Sequence, residues 1–366
     1  MYGGRSGIGE YLAQMMARLP KHLPRASWTV FGDPPRSVLP PNSRLVRVRS
    51  RIYSVSEQVS IPVAALGKDL SVYFSPHYNA PLLVPAPLVV TVHDLIHLLF
   101  PEYLPSPRVA ARAYAWFMLK AVCRRARKVL TISENTARDL ARMLKVPRMK
   151  IKVVPLGVDE VYSPVRSPGA LGEFRRKMGL SRGYLLYVGN LKPHKNVEAL
   201  VRVFALLNRP GLKLVLSGRE DPDYRGVRLA VRAGGLENRV VFIANTSRQQ
   251  RRLLYAGADL FVFPSLYEGF GLPPLEAMAC GTPVVASNAS SIPEVTGDAA
   301  ILVNPRDDGA LLRAIKAVME RRSLRALLSR KGLARARPFS WDCTASRTAE
   351  ILAAASHQGG SERGYC

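Results

Sequence analysis

The chain has 366 residues, 48% hydrophobic and 22% charged, which excludes a fibre or a disordered tail and suits two globular domains. Lysine and arginine number 53 against 27 acidic residues, and the net charge of +26 is shared about equally between residues 1–160 and the remainder, so polyanions are expected partners: nucleic acid, anionic lipid or phosphorylated substrates. No secretory signal opens the chain, the four cysteines (Cys123, Cys280, Cys343, Cys366) form no C-x-x-C pair, and the long uncharged stretch Ser71–His93 is cut by Pro76, Pro81, Pro85 and Pro87, which points to a cytoplasmic protein without a membrane-spanning helix.

In chain order, Gly3-Gly4-Arg5-Ser6-Gly7-Ile8-Gly9 opens a helix and can bring backbone amides to an anion. It is no dinucleotide fingerprint, because Leu12 stands where the third glycine belongs. An apolar strand follows at Trp28–Phe31. Arg47, Arg49 and Arg51 alternate with Val48, Ser50 and Ile52, as on the solvated edge of a strand. Further strands are read at Val72–Phe74 and Leu88–Val92. The second ends in Thr91-Val-His93-Asp94, where His93 is placed to hydrogen-bond a substrate hydroxyl rather than to sit as a satisfied core histidine. Pro107–Arg127 is a helix carrying Tyr114, Trp116 and Phe117 beside Arg108, Arg112 and Arg124, either packing on the core or meeting an anionic membrane. Val129–Ile132 leads to Ser133, read as an N-cap because no G-x-S-x-G surrounds it.

Ile151–Val154 closes the first run, and the aperiodic stretch from Pro155 to Pro164, polar as far as Gly172, marks a boundary. After it come strands at Tyr184–Val188, Leu212–Ser217, Val240–Ile243, Leu260–Phe263 and Pro283–Ala286, with amphipathic helices between most of them. Continuous apolar strands spaced by helices mean parallel sheets covered on both faces, so the fold class is α/β, a doubly wound domain built twice. The domains are expected at 1–158 and 172–337, with a helix at 338–355 packing back on the first domain through Trp341, Ile351 and Leu352, and a disordered tail at 356–366.

Ligands of such sheets sit beyond the carboxyl ends of the strands. Tyr184–Val188 is followed by Gly189-Asn190-Leu191-Lys192-Pro193-His194-Lys195-Asn196, a turn whose cations and helix entrance can hold a diphosphate. Leu260–Phe263 is followed by Glu268-Gly269-Phe270-Gly271-Leu272-Pro273-Pro274-Leu275-Glu276: two carboxylates eight positions apart, one in a glycine-flanked loop and one on a helix started by proline. Carboxylates beside exposed amides suit a polyhydroxylated ligand. An N-cap and an exposed helix face would explain Glu276 alone, but poorly the whole run. Neither His77 nor His97 has partners at metal-ligand spacing.

Together Ser-Gly-Ile-Gly at 6–9, Thr-Val-His-Asp at 91–94, Thr-Ile-Ser-Glu at 131–134, Val-Pro-Leu-Gly-Val-Asp at 154–159, Tyr-Val-Gly-Asn at 187–190 and above all Glu268 to Glu276 resemble the retaining glycosyltransferases of family 4, in particular a bacterial mannosyltransferase-like group. The resemblance covers nearly the whole chain. It implies the GT-B arrangement of two facing Rossmann-like domains with a cleft between them, and transfer of a hexose from a nucleoside diphosphate sugar, GDP-mannose foremost, to a glycan or lipid-linked acceptor. It implies no metal and no cofactor beyond the donor. Glu268 with the Phe270, Gly271 and Leu272 segment would hold the donor sugar and Glu276 the ribose diol. Lys195, Gly189 and Asn190 would hold the diphosphate, helped by Gly7, and His93 would face the transferred sugar from the other domain.

Two departures stand out. Many relatives place an arginine after the loop glycine or before its lysine, where this chain has Asn190 and His194, and Lys192 is the cation left nearby to compensate. Relatives also begin with a strand before the glycine loop, where this chain has only Met1 and Tyr2, so Met1 is expected not to be the natural start and a first strand is expected to be missing. Three other readings compete: a sugar-nucleotide epimerase of the same architecture, a nicotinamide-dependent dehydrogenase, and a basic nucleic-acid-binding protein. The incomplete glycine fingerprint counts against the second. The densest basic run, Arg124 to Lys128, contains no aromatic residue and counts against the third, so nucleic acid is not an expected partner.

Overall fold

The computed structural model describes residues 7–34, 39–50, 54–100, 108–165, 167–180, 183–207, 209–221 and 224–356. The chain divides into two compact units, Met1–Gly157 with Ser340–Cys366, and Val158–Phe339.

The first unit starts with α1 (Gly7–His22), which buries Tyr11, Met15 and Leu19 along one stripe. It continues through β1 (Trp28–Phe31), β2 (Ser43–Val46), α2 (Val55–Ala65), β3 (Tyr73–Ser75), β4 (Leu88–Val92), α3 (Ile96–Leu99), α4 (Arg108–Arg125), β5 (Lys128–Thr131), α5 (Glu134–Leu144) and β6 (Ile151–Val153). The strands β3-β4-β5-β6 form a parallel sheet in that order, and all five residues of β4 are buried, as the run Leu-Val-Val-Thr-Val requires of a strand covered on both faces. The expected strand of alternating arginines is not formed over 47–50: β2 stops at Val46, because its partner β1 ends at Phe31 and the backbone turns at Gly32 with φ near +139°. Residues 51–53, and residues 1–6 of the glycine loop, lie outside the described residues.

In this unit β1 and β2 pair with each other alone, apart from the four-stranded sheet. A cavity of about 920 Å³ is bounded by β1 on one side and β3, the edge of that sheet, on the other, with Met15 and Leu19 of α1 and Trp28, Val30 and Tyr73 among its lining.

The second unit runs α6 (Pro168–Lys177), β7 (Tyr184–Val188), α7 (Val197–Leu206), β8 (Lys213–Ser217), α8 (Gly226–Ala233), β9 (Val240–Ile243), α9 (Arg248–Gly257), β10 (Leu260–Phe263), α10 (Leu272–Ala279), β11 (Val284–Ser287), α11 (Ile292–Thr296), β12 (Ile301–Val303), α12 (Asp308–Glu320) and α13 (Arg322–Ala336). Its six strands are all parallel in the order β12-β11-β10-β7-β8-β9. The chain winds one way from β7 and the other way from β10, so the switch point where ligands bind such sheets lies between these two strands. Every residue of β7 and β10 is buried.

After α13 the chain returns to the first unit as α14 (Trp341–Ser356). Trp341 is buried with its ring 6.4 Å from that of Tyr11, and the Thr344 hydroxyl donates to the Pro155 carbonyl at 2.8 Å. Gly157 is what lets the chain after β6 meet the start of α14, because a Cβ at 157 would lie 2.0 Å from the Trp341 amide nitrogen. The expected tail beyond Ser356 lies outside the described residues. Among the described residues no helix is long and apolar enough to cross a membrane, and Cys123 and Cys280 are buried free thiols.

Candidate active site

In the second unit the two loops singled out from the sequence leave adjacent strands at the switch point. Beyond β7 the backbone turns at Gly189, whose φ near +150° favours glycine and whose amide donates to the Ser217 carbonyl at 2.9 Å. A short helical turn, Pro193–Lys195, follows, and Asn196 in the left-handed region starts α7. The Asn196 side chain donates to the carbonyls of Pro264 and Pro305, at 3.2 and 2.7 Å, and the Leu266 amide donates to the His194 carbonyl at 2.7 Å. These bonds lock the loop after β7 to the loop after β10.

The lock brings Lys195 to Glu268. The ammonium lies 2.7 Å from both carboxylate oxygens, and the two side chains are only 17% and 12% exposed. Two part-buried charges so paired cost desolvation, and excellent geometry is what offsets it. Glu268 itself is pinned by Ser290, which accepts from its amide at 3.2 Å and donates to its carbonyl at 2.6 Å, while Ser291 donates to the Glu268 and Phe270 carbonyls at 2.9 and 2.6 Å. Gly271, at φ near +121°, carries the chain into α10, which Leu272 opens and Pro273 rigidifies in its first turn. Phe270 is buried against Phe339, ring centroids 6.0 Å apart.

His194 stands directly before Lys195. It is buried, and burial followed by the charges of Lys195 and Lys192 pushes its pKa down to about 3, so the ring is neutral near pH 7. Lys192 lies 3.7 Å from Asp221 and is held at the rim. The Asn190 carbonyl accepts from the Tyr187 hydroxyl at 3.2 Å. Lys195 is therefore the cation that the fold fixes at the end of β7.

Glu276 sits on α10, one turn beyond its start, and two tyrosines the sequence reading passed over surround it. The Tyr255 hydroxyl, from α9, donates to Glu276 Oε2 at 2.8 Å, and Tyr162, from the segment that opens the second unit, packs its ring 5.9 Å from that of Tyr255, with the Glu276 charge bearing on its phenol. Neither had a local signal: Tyr255 reads as the apolar face of a helix and Tyr162 as boundary text.

In the first unit His93 follows β4 as expected, but its environment is closed. The Nε2–H donates to the Pro76 carbonyl at 2.9 Å, the ring stands edge-on to Tyr11 at 4.8 Å, and the residue is 9% exposed. Burial lowers its pKa, partly offset by the Pro76 carbonyl and by Asp94, so the imidazole is neutral and Nδ1 is the atom able to accept from a hydroxyl. His77 is buried too, with its pKa down to about 3 for the same reason. Gly7, the first residue of α1, is exposed with open space where a Cβ would stand, and Ser133 is the N-cap of α5, accepting from the Thr136 amide at 3.1 Å. Among the described residues no cluster of histidine, cysteine and carboxylate side chains has the arrangement of a metal site.

Comparison with known proteins adds to this geometry. Residues 173–335 match the model of the group 1 glycosyl transferases, and residues 13–161 match that of Glycosyltransferase Family 4. The chain is 35% identical over 278 residues to the O-antigen chain mannosyltransferase B of Escherichia coli, covering 75% of this chain and 72% of that one. It is 32% identical over 270 residues to the serotype-specific mannosyltransferase WbdA of Escherichia coli, a stretch that is 72% of this chain but 33% of WbdA, so it spans about a third of that relative's length. Among solved structures, Anabaena HepE in complex with UDP and glucose has a TM-score of 0.77 and 21% identity over 97% of this chain and 98% of that chain, a likeness of fold. With both halves matched and one such relative spanned for most of its length, the chain belongs to the family 4 glycosyltransferases of GT-B fold.

Proposed function

We propose that this glycosyltransferase moves mannose from GDP-mannose to a hydroxyl of a glycan or lipid-linked acceptor, with retained anomeric configuration. The observation that carries the reading is the meeting of Lys195 and Glu268 at the switch point of the second unit, 2.7 Å apart, beside the glycine-bounded entrance of α10. The printed names of O-antigen chain mannosyltransferase B and WbdA favour mannose over other hexoses. In this reading the diphosphate lies against Lys195 and the amides after Gly189, and the sugar hydroxyls against Glu268 and the Phe270–Leu272 backbone. Glu276 accepts from the ribose. The bond from the anomeric carbon to the β-phosphate oxygen breaks as the acceptor oxygen attaches on the same face, and the acceptor proton passes to the leaving phosphate. Catalysis is positioning together with stabilisation of the charge that grows on the diphosphate.

A panel of nucleotide sugars tests this. GDP-mannose is expected to raise the melting temperature and to release GDP when an acceptor glycan is present. Interconversion of nucleotide sugars without an acceptor would establish the epimerase reading instead, and no response to any member would overturn both. With the donor in hand, Glu276→Ala is expected to raise donor KM about 10- to 100-fold, the cost of losing a charge-assisted acceptor worth roughly 1.5–3 kcal/mol, whereas Glu268→Ala should depress kcat more than KM. Wild-type kinetics in both variants would remove the assignment.

For a lipid-linked acceptor, the proposed working place of the enzyme is the inner, anionic face of the membrane. On α4, Val109, Trp116 and Phe117 are 84%, 43% and 58% exposed, next to the exposed Arg112 and Arg124, and the Lys120 ammonium lies 4.4 Å over the Trp116 ring. Aromatic rings among cations suit a headgroup layer, at about 1 kcal/mol per basic group near the surface. Sedimentation with acidic but not neutral vesicles is expected, weakened by salt and by Trp116→Ala with Phe117→Ala. Equal failure to sediment with either vesicle at low salt would exclude the contact.

A further inference from the structure

Glu276 is not free to turn. Tyr255 is fully buried in α9, and its hydroxyl meets Glu276 Oε2 at 2.8 Å while its carbonyl accepts from the Thr282 hydroxyl at 2.6 Å. Tyr162 is also buried, its ring 5.9 Å from that of Tyr255 in an edge-to-face contact, and the Glu276 charge bears on its phenol. The segment that carries Tyr162 is fastened to α9: Arg248 lies 3.1 Å from Asp159, and Arg252 donates to the carbonyls of Ser163 and Pro164 at 2.9 and 3.0 Å. Burial, with the charge of Glu276 next, pushes both phenols far above their ordinary range, so they remain neutral donors at any working pH.

We propose that Tyr255 and Tyr162 are positioning residues for nucleotide recognition, holding the Glu276 carboxylate from the α9 side in the orientation that meets the vicinal hydroxyls of the donor's ribose. The segment after the unit boundary is then part of the donor site and not merely a connection. This rests on the reading of Glu276 as the ribose acceptor. A carboxylate lacking these phenols would turn between rotamers and meet a diol in only part of its population, so removing either phenol weakens the contact with the ribose while leaving the rest of the nucleotide's contacts in place.

The test measures binding of GDP, UDP and their 2′-deoxy forms by calorimetry to the wild-type chain, Tyr255→Phe, Tyr162→Phe and Glu276→Gln. The wild type should bind the ribo form of its preferred nucleotide about tenfold more tightly than the deoxy form. Each phenylalanine variant is expected to lose about three- to tenfold in ribo-nucleotide affinity, to leave the deoxy form unchanged within about twofold, and so to lose most of the discrimination, as Glu276→Gln does. A structural role alone would weaken both forms equally or lower the melting temperature without changing their ratio. If both variants keep the wild-type ratio while Glu276→Gln loses it, the positioning role is wrong and the ribose assignment stands. If the wild type binds a nucleotide without discriminating the deoxy form, the ribose assignment falls and the proposal with it, and binding of neither nucleotide overturns the donor reading itself.

Discussion

Lys195→Ala is expected to lower kcat about 100- to 1000-fold, the range found when one preorganised donor is taken from a site where negative charge develops. In the proposed reaction that charge appears on the departing diphosphate, and the neutral ring of His194 and the rim position of Lys192 leave Lys195 to meet it. The ammonium is already held against Glu268 at 2.7 Å, so it does not have to be ordered during the reaction. Removing it also strands a carboxylate that is 12% exposed, a second reason for a large effect. Donor KM should change much less than kcat, because the ground-state diphosphate keeps its amide contacts. Steady-state kinetics with the donor found in the panel, alongside a melting curve to confirm folding, is the measurement. A kcat within about threefold of wild type would mean that charge is stabilised elsewhere.

Gly218→Ala is the other substitution with a large expected effect. Gly218 follows β8, its amide bonded to the Ile243 carbonyl at 3.0 Å, and it lies alongside the loop that leaves β7. A Cβ there would stand 2.0 Å from the Gly189 carbonyl oxygen, 2.6 Å from its carbon and 3.3 Å from the Asn190 nitrogen. All three are backbone atoms, so no side chain can rotate away, and the loop proposed to hold the diphosphate must move. Overpacking of this sort costs about 1–3 kcal/mol. Calorimetry should show a melting temperature lowered by several degrees, about 2–4 °C per kcal/mol, with nucleotide affinity reduced by more than tenfold. Gly172→Ala is the control: no atom lies within 4 Å of the new methyl, the site is in α6, and its stability should hold or rise slightly. Unaltered nucleotide binding in Gly218→Ala would show that the end of β7 plays no part in the site.

Much of the architecture was written in local sequence. Runs such as Leu88–Val92, Tyr184–Val188 and Leu260–Phe263 are apolar throughout because strands buried on both faces have no solvent side, and that pattern marks a parallel doubly wound sheet by itself. Ser43–Val46 and Ile301–Val303 escaped because they are short sheet edges, and their assignment as strands depends on a partner: β1 for one, β11 for the other. The alternating arginines from Arg47 carried the period of a strand without a partner to pair with, so periodicity alone misled there. The glycine-flanked carboxylates and the loop from Gly189 to Asn196 were recognisable because turns, helix starts and ligand contacts demand particular residues at fixed spacing. That Lys195 faces Glu268, 73 positions away, was not legible, because it follows from β7 lying beside β10 in the sheet. The same holds for Tyr162 and Tyr255 around Glu276 and for the closure of His93 by Tyr11 and Pro76. A hydrogen bond between distant residues has no spacing rule; chain topology decides which loops share a sheet end, and packing decides which polar groups are left facing one another there.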